Sequence, residues 1–379
     1  MVQLGHALRS AFLLDPDFVT VNHGSFGATP RAVLAAQDQW RRRMEAQPSR
    51  FMRAELPAAL RQAAASLANF LGAAAQDLAF VTNATEGCNA VLRSLRLQPG
   101  DEILVLGHVY GAVRNTVRFV CDRSGAHLVE VPMPFPQLDA DTLIANLSAA
   151  LTRRTRIAVI DHITSASAMV LPLPGLIAAC HAAGIPVLVD GAHGPGQVDL
   201  NLTTLNADYY VGNCHKWLMA AKGCGFLWAR QDRQRDLHPA VISHGYTQGF
   251  LAEFDWTGTW DPSAFLSVTA ALDFHAELGG PALRARNAAL AAEAASLLAG
   301  RLGTETASGN AADAAMALVR LPAGADRAAP LRDALLQAGA DAPIQPLAGA
   351  SWLRLSAHAY NEISDYLALA ERVEQVLRG

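Results

Sequence analysis

Between about residues 57 and 230 the chain alternates short β-branched and aliphatic runs with helix-forming stretches. Few folds accept that order. Parallel neighbours in a sheet need a crossover of about a dozen residues or more, usually a helix, whereas antiparallel neighbours need only a tight turn. The alternation therefore predicts βαβ units around a mainly parallel sheet. The expected strands are Leu78–Thr82, Glu102–Leu106, His127–Val131, Ile157–Asp161, Pro186–Asp190, Asp208–Val211 and Gly225–Trp228. Helical stretches such as Glu86–Leu95, Ala112–Ser124 and Pro174–Ala183 lie between them, the last stopping at Gly184. After a Gly/Thr/Trp loop at Trp256–Pro262 the pattern becomes helical over Ala282–Leu302, then gives strands near Ala317–Leu321 and Ser351–Leu355 and a closing helix from Glu362. The expected division is an N-terminal segment 1–15, a large α/β domain 16–260 and a smaller C-terminal α+β domain 261–379.

Composition narrows the function classes. No apolar run approaches the roughly 20 residues that span a bilayer, and the stretch Ala168–Cys180 is broken by Pro172 and Pro174. The first twenty residues lack the basic start and apolar stretch of a secretory signal, so a cytoplasmic protein is expected. A net charge of −4 argues against a general nucleic-acid binder. Five cysteines with no C-x-x-C pair read as free thiols, and no metal is expected. Of 30 basic residues only Lys216 and Lys222 are lysines. Codon bias in an Ala- and Arg-rich genome accounts for that scarcity, but any lysine chemistry then has two candidates.

Four constellations could carry chemistry. Thr82–Gly87 follows a strand and opens a helix, whose free N–H groups suit a phosphate, although an ordinary Thr cap with a nearby Glu reads the same way. Asp190 ends a buried strand where open α/β sheets bind ligands. It could pair with a protonated ring nitrogen, form half of an Asp190/His193 metal pair, or merely cap the next turn. Lys216, in Asn213-Cys214-His215-Lys216-Trp217, sits one crossover further on among apolar neighbours. Such neighbours lower a lysine's pKa and make it a nucleophile, as a Schiff base requires. Lys222 reads as a turn residue. Arg354 interrupts the apolar run Trp352–Ser356, and its planar fork suits either a substrate carboxylate or a structural ion pair.

Taken together, Val21–Pro30, Val81–Gly87, His108–Thr116, Asp161–Ser165, Val189–Gln197, Cys214–Leu218, Thr257–Phe265 and Leu353–Asn361 resemble the class V aminotransferase family of pyridoxal-phosphate enzymes, nearest its isopenicillin N epimerase-like branch. The resemblance implies fold type I and pyridoxal 5′-phosphate. It implies Lys216 as the Schiff-base lysine, Asp190 on the pyridine nitrogen, and His193, Ser165 and Asp161 close to the ring. Ala84 and Thr85, helped by Asn213 and His215, would hold the phosphate. His108 or, by preference, Tyr110 would lie over the ring. Arg354 would hold the substrate carboxylate, with Asn22, His23, Gly24 and Ser25 bordering the substrate. Thr259 would reach a partner's phosphate, which implies a homodimer with shared sites.

The expected chemistry starts with loss of the α-proton of an amino acid to Lys216. Epimerisation, with Tyr110 as second acid, and β-elimination by a C–S lyase rank close together; transamination follows. The cysteine-dependent desulfurase mechanism is disfavoured, because no cysteine follows Cys224. A non-catalytic homologue would be expected to lack a central group, yet Lys216, Asp190 and Arg354 are all present. A nicotinamide dehydrogenase would want G-x-G-x-x-G, which the Gly24/Gly27 run does not supply.

Overall fold

All seven strands of the large unit form, in the order β2-β8-β7-β6-β5-β3-β4. They are β2 (Leu78–Val81), β3 (Glu102–Leu106), β4 (His127–Val131), β5 (Thr155–Asp161), β6 (Val187–Gly191), β7 (Tyr209–Asn213) and β8 (Gly225–Ala229). A short strand, β1 (Val19–Thr20), precedes them. The structure is a computed structural model and describes residues 2–307 and 314–378. Within the sheet only β8 runs antiparallel to its neighbours.

The central strands bury both faces, which is why they read as unbroken apolar runs. Ile103, Val105, Ile157 and Val159 enter one core, while Leu104, Leu106, Ala158 and Ile160 enter the other. The start of the sheet is closed by ion pairs. Asp208, fully buried before β7, is met by His181, Arg230 and Arg233 at 2.8–2.9 Å. Asp101 and Glu102 are met by Arg156 and Arg154 at 2.7 Å.

The smaller unit is a three-stranded antiparallel sheet, β11 (Ile344–Leu347), β12 (Ala350–Ser356) and β9 (Met316–Gly324), in that order. It shares a core with the helices Pro281–Leu302 and Ile363–Arg378. A parallel pair, β1 with β10 (Ala340–Asp341), ties the segment after residue 16 to this unit. The helices Ser263–Leu266 and Val268–Glu277 pack elsewhere than the sequence pattern suggests. Ala264, Phe265, Leu266, Val268 and Ala271 join the core beneath the large sheet, against Arg31–Ala46 and Leu56–Phe70. Their apolar stripe is answered there, and helical periodicity alone does not say which sheet a helix covers. Gln197 bridges the units by accepting from Ala315 N and donating to His193 O, each at 2.8 Å. Among the described residues no helix is long and apolar enough to cross a membrane.

Candidate active site

The parallel strands end together. Asp161 closes β5 beside Asp190 of β6, and Gly191 pairs with Gly212 of β7. Just beyond lies a cavity of about 190 Å³, lined by Ser25, Phe26, Asn83, Ala84, Thr85, Tyr110, Asp161, Ile163, Ser165, Asp190, Ala192, His193, Asn213, His215 and Lys216. Strand-end clefts of this kind are where open α/β sheets bind ligands.

One wall is the start of the helix Ala84–Ser94. Asn83 caps it through Glu86 N at 3.0 Å, and Glu86 returns to Thr82 N at 2.7 Å. Asn213 Oδ1 accepts from Ala84 N at 2.8 Å, tying the helix start to the end of β7. The cap is Asn83 and not the threonine expected from the sequence; it fixes the backbone, and the Thr85 N–H keeps no protein partner among the described residues, which leaves that donor open to an anion.

The floor carries two buried carboxyl groups on adjacent strands. Asp190 Oδ1 accepts from Ala192 N at 3.0 Å, while Asp161 Oδ2 is buried with no partner. Burial raises both, and the charge of Asp190 raises Asp161 further; Lys216 pulls Asp190 back down. No lysine or arginine makes an ion pair with either among the described residues. No group of three His, Cys, Asp or Glu there could hold a metal.

Lys216 Nζ lies 3.3 Å from His193 Nε2. Burial, then the nearby charge of Arg354, lowers its pKa from 10.5 to about 8. Arg354 itself is 3 % exposed and has no carboxylate partner among the described residues. Its guanidinium donates to Ser165 O at 2.5 Å, Ser25 Oγ at 2.8 Å and Asn22 Oδ1 at 3.1 Å, and its Nε is buried without a partner. Burial lowers even this group, to about 10. The arginine thus stands directly behind Ser25 and Ser165, which form the cavity wall. Structural ion pairing, the other reading of Arg354, finds no acid to serve.

Several expected residues lie elsewhere. His23 is turned inward: its ring bonds Tyr360 OH and Lys216 O at 3.0 Å and stacks on His358 at 3.7 Å. It borders the core beneath Lys216, because in the one-turn helix His23–Phe26 residues two apart, such as His23 and Ser25, point to nearly opposite sides. Gly24 is packed where a Cβ would meet Met316 Sδ at 2.7 Å. Asn22 reaches the site through Arg354 and through Ser25 Oγ, which donates to its Oδ1 at 2.7 Å. His108 bonds Ser167 Oγ at 2.8 Å and meets Phe135 edge-on, while Tyr110 lines the cavity. Thr259 is exposed and outside the cavity of its own chain. Lys222 donates to Gly27 O and Thr29 Oγ1 at 3.0 and 3.2 Å, a structural role. Sequence reasoning missed Phe26, Asn83, Ile163 and Ala192 on the wall. Only Asn83 carried a signal, as the cap residue.

A strand-end cavity with a low-pKa lysine, an open helix N-terminus and a buried acid free of cations defines the class: a fold-type I pyridoxal-phosphate enzyme. The residues fit that cofactor, since its phosphate, ring nitrogen and aldehyde each find a group of the matching kind. The family profile for class-V aminotransferases matches residues 27–365, and the chain belongs to that family. It is 34% identical to an isopenicillin N epimerase of Streptomyces clavuligerus over 391 residues, 97% of this chain and 96% of that one. It is 33% identical to a probable chloroplastic L-cysteine desulfhydrase of Arabidopsis thaliana over 400 residues, 96% of this chain and 84% of the relative. In fold it is similar to a cysteine desulfurase of Escherichia coli, with a TM-score of 0.83, 24% identity and 98% of both chains covered. The protein is accordingly a pyridoxal 5′-phosphate enzyme.

Proposed function

We propose that this enzyme removes the α-proton of a small α-amino acid and eliminates a sulfur substituent from its β-carbon, as a C–S lyase. The carrying observation is the size of the site. About 190 Å³ within one chain, below the roughly 300–1,000 Å³ of ordinary small-molecule sites, favours a small substrate side chain. The relative named as an L-cysteine desulfhydrase supports the same reading.

Bound pyridoxal phosphate supplies the electron sink that makes the α-proton acidic. The chain's own residues supply the rest. The Thr85 N–H and the helix start would hold the phosphate, with His215 beside it. Asp190 would keep a proton on the ring nitrogen, and His193, Ser165 and Asp161 would border the ring. Arg354 would provide positive charge behind Ser25 and Ser165 for the substrate carboxylate. Lys216 would take the α-proton at Nζ; an amine with a pKa near 8 is matched to that work. Tyr110, on the cavity wall, would give a proton to the departing sulfur.

Epimerisation is the second reading. Tyr110 favours it as a second proton carrier on the same cavity, as does the relative named as an isopenicillin N epimerase. The exposed Thr259 loop supports a homodimer in which each chain completes its partner's phosphate site; light scattering after size exclusion would read its mass.

The deciding experiment has two stages. Borohydride reduction of the yellow protein should fix the cofactor to Lys216, and modification of Lys222 would overturn the site. L-Cysteine and its β-substituted analogues should then release sulfide or thiol together with keto acid. Exchange of the α-proton in heavy water with inversion and no sulfur release would instead establish the epimerase.

A further inference from the structure

We propose that Trp217 is a positioning residue whose indole N–H fixes the tautomer of His193, so that the imidazole proton faces Lys216 Nζ. The inference rests on Lys216 being the cofactor-carrying lysine. Trp217 Nε1 lies 3.3 Å from His193 Nδ1, and His193 Nε2 lies 3.3 Å from Lys216 Nζ. An indole nitrogen only donates, so Nδ1 must accept, and a neutral imidazole then carries its proton on Nε2. Burial keeps this imidazole neutral. The Nε2–H can bond Lys216 only through a lone pair, which the free amine has and the ammonium lacks. Trp217 thus selects the reactive form of the lysine through one intermediary.

The indole is well held for this task. It is 1 % exposed and packs against the rings of His23 and His358 at 5.3 and 5.9 Å. His23 bonds the Lys216 carbonyl next to it at 3.0 Å. At the other end Gln197 donates to His193 O at 2.8 Å. Backbone and ring of His193 are both fixed. The charged or titratable groups acting on Lys216 and His193 are Asp190, Arg354 and His215, and none of them approaches His193 Nδ1 within hydrogen-bonding distance.

The test uses the chain's shortage of lysine. Full-length protein stripped of cofactor and labelled with carbon-13 lysine has two lysine side-chain signals, and a Lys222→Arg background leaves Lys216 alone. Trp217→Phe removes the N–H while keeping an aromatic ring. With Nδ1 released, His193 can accept from the ammonium, so the Lys216 titration midpoint should rise by about one pH unit. Nitrogen-15 histidine spectra should change from the Nε2–H tautomer to a mixture, the His193 signal being assigned by its loss in His193→Gln. In a His193→Gln background the Trp217→Phe shift should vanish, which separates the effect from general loosening, and a melting curve establishes that each variant is folded. An unchanged midpoint with an unchanged tautomer overturns the proposal, as does a shift of equal size without His193. If Lys222 is instead the residue fixed by borohydride, the functional reading fails while the tautomer spectra still decide the role of Trp217.

Discussion

The two ends of the large sheet treat buried charge in opposite ways. Where the strands begin, Asp208 meets three basic side chains, and Asp101 and Glu102 each meet an arginine. Where they end, Asp161, Asp190 and Arg354 are buried and Lys216 is partly so, yet among the described residues neither carboxylate has an ion pair and the arginine bonds only neutral oxygens. Taking a charge out of water costs several kcal/mol unless a partner offsets it. One end of the sheet meets that cost internally; the other leaves it to be met by what binds. Buried groups of the second kind, with shifted pKa values, mark a functional site.

Substitutions should divide along the same line. The largest effect belongs to Lys216→Ala, which should lower turnover by a factor on the order of 10³ or more while the fold persists by circular dichroism. Lys222→Arg, six residues away, should stay within about twofold, since both side chains can donate to Gly27 O; comparable losses would erase the distinction between the two lysines. The aspartates should cross over. Asp208→Asn should cost about 3 kcal/mol in urea unfolding with little change in the activity of the folded enzyme. Asp190→Asn should cost roughly 10²-fold in activity, through weaker control of the ring nitrogen, with stability held or improved. If both lose stability alike, the contrast between the ends fails.

Arg354→Met should come next, raising KM about 10- to 100-fold, the worth of one charge-assisted contact, with a smaller change in kcat. The smallest effect is on pH. The amine of Lys216 titrates at about 8 in the folded chain against 10.5 unfolded. Between those values the unfolded chain holds more protons, so this lysine's contribution to stability rises with pH across the window. The melting temperature of the cofactor-free protein relative to Lys216→Met should therefore climb between about pH 8 and pH 10 and stay level below; a constant difference would mean the amine is not perturbed.

The strands were legible because burial on both faces writes itself as an unbroken apolar run, and residues such as Asp190 and Asn213 stand out where such runs stop. Lys216 was legible for the same reason, helped by the near absence of other lysines. What did not show in the sequence was direction. His23 and Ser25 are two residues apart, and only the second faces the cavity. His108 and Tyr110 are also two apart; the first spends its ring on Ser167. Nor did the sequence show that Arg354 would be held by Ser25, Asn22 and the Ser165 carbonyl, since those partners come from two distant segments. The docking of 263–277 on the large unit and the hydrogen bond from Trp217 to His193 are likewise products of tertiary packing.

The two lysines have a practical consequence. One is enclosed beside His193 and the other is committed to Gly27 and Thr29, so the surface is clad almost wholly in arginine. Reagents that acylate surface amines will find one lysine to label among the described residues, the exposed Lys222, and amine-coupled immobilisation on a sensor chip will depend on it. Lys-specific proteolysis of the denatured chain will cut at no more than two places. Any slow acylation that does abolish turnover can then be assigned to Lys216 or Lys222 by which of those two cuts it blocks.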